Sequence, residues 1–409
     1  MALTDFKQDY ILRYQDILSK VMVGLKIAST RFESNLKFGD TVVRTVLDLS
    51  AVRVRAFTNL NDQTIDPLTD SEETMLVNVQ VGAVFPIARL EKIQAGPLNP
   101  AMVAGKEVAI KVANYLDAVI LGETRNAWAD FDNGNLTSAA NSGTSITLSS
   151  TTVPQMLSMA YAKMFSNNVS MTNMVWVLDP YSIAQIAQFP IGKDITSANT
   201  VFSNGFSGTI FGSEIYASNS LTGEAVLSIA TTPTDGDTVT IGGVVFTFKT
   251  TLGSTAGNVA IAGSADAARL NLVELLNSPS TTDAGQVALS AANQIILQDI
   301  LGIGTGSSFA VAVVDDAAAN TATIVAKGSS RLTLSETLTD ATDAFTKNFV
   351  HAYYGMKGAI DVAIQDQPVM EMRDEAKQLT TNIFNNVVAA VKTFTDGSQK
   401  FVDVHIKNA

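Results

Sequence analysis

Two histidines, His351 and His405, are all the imidazole this 409-residue chain offers, and it has no cysteine. Thiol catalysis, thiolate metal sites and disulfides are therefore excluded together. The histidines stand 54 residues apart, each inside a strand-like run, which reads as a structural role rather than a catalytic or metal-binding one. The stretch LGIGTGSS at 301–308 has the wrong glycine spacing for a dinucleotide loop, and a strand pattern follows where a helix is needed. It reads as a turn. Asp235-Gly236-Asp237 and the run from Asp130 through Asp132 to Gly134 carry carboxylates that could interest calcium. Neither continues with the ligand spacing of an EF-hand loop, and Asp and Gly at hairpin ends explain both. Serines are plentiful, but no Gly-x-Ser-x-Gly elbow occurs. The carboxylates of EMRDEAK at 371–377 read as a solvated charged face with near-neighbour ion pairs rather than an acid/base pair. No catalytic residue, cofactor or metal ligand is expected.

The elements that would have to position such chemistry point elsewhere. The chain is 46% hydrophobic and 16% charged, high in apolar content, yet no run approaches the roughly 18 to 20 apolar residues of a membrane helix. The opening MALTDFKQDYILRYQDILSK mixes charges of both signs into its apolar positions and has no secretory pattern, so assembly in a reducing cytoplasm is expected. The formal charge of -12 disfavours extended binding to phosphate backbones. That charge is uneven: residues 1–60 hold nine Lys and Arg against six Asp and Glu, while 222–344 hold four against twelve. The acidic segment behaves as a separate domain of 123 residues, close to the usual domain size.

Phe6, Tyr10, Tyr14, Ile17, Val21 and Leu25 recur at spacings of three and four, an apolar stripe on one helix face. Its charges of both signs give no basic face for a membrane surface, so it is expected to pack on protein. Residues 41–57 are β-branched and apolar with Arg44, Arg53 and Arg55 between them, and 74–87 repeat that pattern after a polar stretch at 59–73. This predicts a long two-stranded excursion with a polar tip, which cannot be stable alone in water. Asn99 and Pro100 open a helix over 100–121. Residues 130–151 read as a loop or a turn-rich strand pair, and Thr152 with Gln155 as the capping box of a second helix through Met164. Met174–Leu178 is predicted as a buried strand, with a helix over 181–188. In the acidic segment, strands flank Gly242-Gly243, an amphipathic helix lies in SADAARLNLVELLN, and strands are expected at 309–314 and 321–326. Long β stretches are then expected at 350–364, 383–394 and 401–406.

This order of elements resembles the capsid fold of tailed-bacteriophage coat proteins, shared with encapsulins and the floor of herpesvirus capsids. The resemblance spans nearly the whole chain, through the spine-like helix ending LDAVILGE, the pair MVWVLDPYSIAQIAQ, the glycine-bounded FSGTIFGSEIYASNSL, and the closing VHAYYGMKGAIDVAIQDQPVMEMRDEA and NNVVAAVKTFTDGSQKFVDVHI. It implies an α+β fold with an N-terminal arm (1–37), an extended β loop (38–91), a spine helix and first part of a peripheral domain (92–173), and the first part of an axial domain (174–221). A β-rich surface domain (222–344) is inserted there, and closing strands of both domains follow (345–409). Without the insertion 286 residues remain, which suits the bare fold.

The implied function is that of a major capsid protein, self-assembling as hexamers and pentamers into an icosahedral shell around double-stranded DNA that it does not read by sequence. Its partners would be copies of itself, a separate scaffolding protein, a portal and, where present, a decoration protein; no membrane is involved, and the virion is its location. Phe6, Tyr10 and Tyr14 on the arm and Arg44, Arg53 and Arg55 on the loop are the expected inter-subunit contacts. The arginines would either pair with a neighbour's carboxylates or keep an edge strand soluble. Some family members weld subunits through a lysine in the extended loop, but no lysine occurs in 38–91, so a noncovalent shell is expected. An encapsulin compartment is the same-fold alternative. An extracellular β-rich adhesin or tail protein, the alternative of another class, leaves the spine helix and closing strands unexplained.

Overall fold

The computed structural model describes residues 22–32, 41–48, 69–88, 100–188, 206–210, 212–301, 313–326, 332–375 and 380–407. In chain order these form helix α1 (Gly24–Ile27), strands β1 (Thr41–Asp48), β2 (Thr69–Leu76) and β3 (Val79–Ala88), the long helix α2 (Pro100–Gly122), β4 (Asp130–Phe131), α3 (Thr152–Ser166), β5 (Met174–Leu178) and α4 (Pro180–Gln188). Strands β6 (Phe206–Ile210), β7 (Ser213–Ala217), β8 (Gly223–Ser228), β9 (Thr238–Ile241), β10 (Val244–Lys249) and β11 (Asn258–Ala260) come next. Helices α5 (Ala265–Asn277) and α6 (Ala291–Leu301) precede β12 (Val313–Asp316), β13 (Thr321–Ala326) and β14 (Leu334–Glu336). The chain closes with β15 (Phe345–Met356), β16 (Asp361–Glu375), β17 (Thr380–Lys392), α7 (Thr395–Ser398) and β18 (Phe401–Lys407). The class is α+β, as expected.

The largest sheet has nine strands, in the order β12-β13-β8-β15-β5-β7-β6, with β18 paired to β15 and β4 to β18. Its centre follows from the sequence of β5. MVWVL has no polar face, is buried at all five positions, and so must lie between two layers. The two-residue period then divides it. Val175 and Val177 join the core that holds Leu116 and Ile120 of α2, while Met174, Trp176 and Leu178 join the core built with Met156 and Leu157 of α3. Tyr353 of β15 and Phe401 of β18 belong to the first core, and their neighbours Tyr354 and Val402 to the second. Trp176 stacks on Tyr354 at 4.1 Å between centroids. Gly355 is required where β15 meets β18, because a Cβ there would collide with Phe401.

Residues between β8 and β14 enclose a third core. Ile241, Phe246, Phe248, Leu272 and Leu276 are fully buried together. The β9–β10 hairpin turns on Gly242 and Gly243, both at positive φ, as a two-residue turn of this hand demands. Ser264 Oγ caps α5 by accepting from the Ala267 N–H at 3.1 Å. Arg269, with no exposed side-chain surface, pairs with Asp315 of β12 and with Asp266. Strand β8 leads into this segment yet stays in the nine-stranded sheet, where Gly223 lies opposite Val350 and Leu227 opposite Phe345 of β15.

The expectations at 74–87 and 350–364 need correction. Polar residues 69–73 form strand rather than loop: β2 pairs with β1 so that Glu73 and Met75 turn inward opposite Arg44 and Val42, while Glu72 takes the outward face. The stretch 74–87 is not one strand. It breaks at Val77 and Asn78, and β3 crosses to pair with β17 in the three-stranded sheet β16-β17-β3. The stretch 350–364 divides at a turn through Gly358, whose φ of +82° suits glycine. Residues 371–375 belong to strand β16; the side-chain reading given for 371–377 lies outside the described residues. The start of α3 is held by Ser149, whose Oγ accepts from the Thr152 N–H at 3.1 Å, while the Thr152 hydroxyl donates back to the Thr147 carbonyl; the Thr152–Gln155 box does not form.

Candidate functional site

Three places gather the residues considered for function: the β1–β2 ribbon, the contact of residues 22–32 with α2, and the histidines. The ribbon is a two-stranded sheet of its own. Its inward residues Val42 and Met75 pack with Ala363, Ala390 and Phe394. Arg44 Nη1 reaches Asp396 Oδ1 at 2.5 Å and its guanidinium lies 5.3 Å from the Phe394 ring centroid. The bond to Asp396 raises the Arg44 pKa, and Arg44 in turn helps hold Asp396 low against the opposing effect of burial. The carboxylate that Arg44 meets is therefore one of its own chain. On the other face, Val43 and Leu76 are 55% and 54% exposed. Arg53 and Arg55 lie outside the described residues, as do Phe6, Tyr10 and Tyr14.

Residues 22–32, which end the expected arm, are anchored. Met22, Val23 and Ile27 are buried in the α2 core, and the Gly24 N–H donates to Asp117 Oδ1. Gly24 has no room for a side chain: a Cβ would stand 2.9 Å from both Asp117 and Ile120. Asp117 also accepts from Ser218 Oγ at 2.9 Å. Burial pushes its pKa up to about 6, against the lowering effect of those hydrogen bonds. Arg31 pairs with the buried Asp361 at 2.6 Å, and Ser29 bridges to the same residue at the start of β16.

The histidines, distant in sequence, are direct cross-strand partners: the β15–β18 register places His351 opposite His405. His351 Nδ1 lies 2.6 Å from Asp403 Oδ2, and its Nε2 lies 3.2 Å from Glu224 Oε2. Burial opposes the charged ring, but the two carboxylates outweigh it and push His351 up to about 9. Sequence spacing gave no sign of this pairing, because the register between β15 and β18 is a tertiary fact; the one local hint was Asp403 two residues before His405, on the same face of a strand. Of the acidic residues weighed for calcium, Asp132 accepts from the Gly134 and Gly143 N–H groups, and Asp235 and Asp237 are held in turns in the same way. Asp235 accepts from Thr250, and Asp237 from Thr234 and Thr339.

No family model and no curated protein matches this sequence. Among solved structures it is similar to one from Mycobacterium phage Che8, at 12% identity and a TM-score of 0.47, over 94% of this chain and 90% of that chain. It is also similar to the capsid structure of the cyanophage P-SCSP1u, at 9% identity and a TM-score of 0.46, over 91% and 85% of the two chains. The capsid of Ralstonia phage GP4 follows at 8% identity and a TM-score of 0.43, over 93% and 87%.

Proposed function

We propose that this chain is the major capsid protein of a tailed bacteriophage, a shell subunit that works by association rather than by chemistry. One observation carries the reading: among the described residues, the chain extends β structure with one face left open. The β1–β2 ribbon stands as a separate two-stranded sheet with Val43 and Leu76 outward. The three-stranded sheet has strands of 10, 15 and 13 residues, with Val84 61% exposed. The ribbon's inner face rests on Ala363, Ala390 and Phe394 of its own chain, and on this reading a neighbouring copy covers its outer face. On this reading the anchored opening segment and the ribbon are the loop-and-arm devices of a shell, α2 is its spine, and β5, β15 and β18 are the centre of the axial and peripheral domains.

The finer parts of the proposal follow from the same reading. Copies gather as hexamers and pentamers, guided by a separate scaffolding protein and a portal, and enclose double-stranded DNA without reading it. The acidic 222–344 segment faces outward, where negative charge keeps particles apart and a decoration protein has room to bind. Assembly takes place in the host cytoplasm and the product is the virion. Arg53 and Arg55, with Phe6, Tyr10 and Tyr14, are the contacts assigned to neighbours, and interfaces of about 1,200 to 2,000 Å² reinforce one another when the lattice closes.

Electron microscopy of the purified protein, alone and with its candidate scaffold, tests this. Closed icosahedral shells are the expected result. A stable monomer under every condition would overturn the proposal. Shells that package a protein cargo and no nucleic acid would replace the phage reading with an encapsulin-type compartment.

A further inference from the structure

Shell assembly gives no task to the polar cluster buried where β15, β18 and the root of β8 meet. We propose that His351, Asp403 and His405 form a binding site for one divalent transition ion of the zinc class, with Glu224 fixing the His351 ring from behind. The inference goes beyond the shell reading and does not depend on it.

The argument begins with the strands. Direct pairing sets His351 against His405, and the two-residue period puts Asp403 on the same face as His405. One donor atom from each of the three lies within 4.8 Å of the others. Asp403 Oδ2 is the point of convergence, 2.6 Å from His351 Nδ1 and 3.3 Å from His405 Nε2. Two ligands on a tetrahedral zinc, each at about 2.0 to 2.1 Å, stand roughly 3.3 Å apart. The Asp403–His405 separation already has that value, so the adjustment falls on His351, which must draw back from Asp403 and, lying within 4.8 Å of the His405 nitrogen, settle at the same spacing from it. Two imidazoles and one carboxylate are a donor set that suits zinc, with a remaining position for water.

The surroundings are those of a metal site. A ligating histidine holds its tautomer by donating the other ring N–H to a carboxylate. Here His351 Nε2 faces Glu224 Oε2 at 3.2 Å, and Arg125 Nη2 holds that carboxylate at 3.1 Å. The Phe349 ring packs against both imidazoles, with centroids 5.0 and 4.5 Å away, which fixes their planes. Asp403 Oδ1 is buried without a hydrogen-bond partner, so a cation held through Oδ2 would offset part of the cost of burying this carboxylate. On the solvent side, His405 is partly exposed and Asp130 Oδ1 stands 3.9 Å from its Nε2, marking the route by which an ion reaches the cluster. On binding, the ion takes the place of the proton on His351 Nδ1, which passes to water.

Zinc chloride titrated into the full-length, chelator-stripped protein tests this by calorimetry, with cobalt(II) absorption as a probe of tetrahedral ligation. One equivalent of zinc and a visible cobalt band are expected. Substituting the buried His351 or Asp403 risks unfolding, so the deciding variants are at the edge. His405→Gln should lose the stoichiometric site while keeping its circular dichroism. Glu224→Gln should keep one-to-one binding but weaken it about 10- to 100-fold. A stripped wild-type protein that takes up no zinc at micromolar concentrations overturns the proposal, as does a His405→Gln protein that binds one equivalent with unchanged affinity.

Discussion

The 222–344 segment and the fold around it bury their apolar residues in different ways. In the segment, short strands joined by tight turns close over a core in which Phe246, Phe248, Leu272 and Leu276 are all fully buried, and even the guanidinium of Arg269 has its carboxylates at hand. The surrounding fold has two cores as dense, one on each face of β5, but it also extends long strands whose outer faces keep Val43, Leu76 and Val84 exposed. The segment gathers its aromatic residues into one core on short strands, although Val245, Ile295 and Val314 stay about half exposed. The surrounding fold spreads its exposed apolar residues along extended strands, the faces that a second copy would cover on the reading proposed above.

The sharpest way to break this contrast is to empty the segment's core. Phe246→Ala should cost about 3 to 5 kcal/mol, and hydrogen exchange should show protection lost in β9, β10, β11 and α5 while β5 and β18 keep theirs. Equal loss across all of them would mean that the segment has no packing of its own.

Acid acts with opposite sign on Asp117 and on two carboxylates of the segment. Asp117 binds its proton more tightly in the folded chain, at about 6 against an ordinary 3.8. Its contribution to stability is therefore full below the unfolded value and is lost as pH rises through the folded one, a swing of about 3 kcal/mol. Asp235 and Asp340 in the segment behave oppositely: hydrogen bonds from Thr250 and Thr342 hold them below the ordinary range, so what they contribute is lost as pH falls. Denaturant unfolding followed from about pH 4 to 7 should show a falling component that Asp117→Asn removes. An unchanged profile in that variant would show that the junction of α1 with α2 is not where the dependence arises.

The smallest effect belongs to the ribbon. Arg44 and Asp396 are both partly exposed, with 25% and 33% of their side-chain surface open, so Arg44→Ala should cost no more than about 1 kcal/mol. Faster exchange should be confined to β1 and β2. A larger or wider effect would mean that the ribbon supports the fold rather than resting on it.

Much of the interior was legible in the sequence, for physical reasons that can be named. Strand β5 has no polar face, the β9–β10 turn needs two residues at positive φ, and α2 opens on a proline; each of these is a local demand that no tertiary context overrides. What was not legible depended on partners. Residues 69–73 look like loop until β1 supplies the pairing that hides Glu73 and exposes Glu72. The break at Val77 and Asn78 reflects which sheet β3 joins, and apolar alternation is the same on either side of it. The histidine pair is the clearest case, since no spacing rule connects positions 351 and 405; only the register of β18 against β15 does. The contact residues expected on the arm and at Arg53 and Arg55 lie outside the described residues, while Arg44 was legible as a ribbon residue but not as a partner of Asp396.

Strand β15 carries a mechanical consequence. Strands β8 and β5 lie end to end along one edge of it, over Phe345–Val350 and Tyr353–Met356, while β18 runs along the opposite edge over Phe349–Gly355 and spans the joint between them. The arrangement is a splinted beam. A load applied to the 222–344 segment passes along β15 and shears it against β18, so the final strand of the chain, far from that segment in sequence, sets how stiffly the segment is mounted.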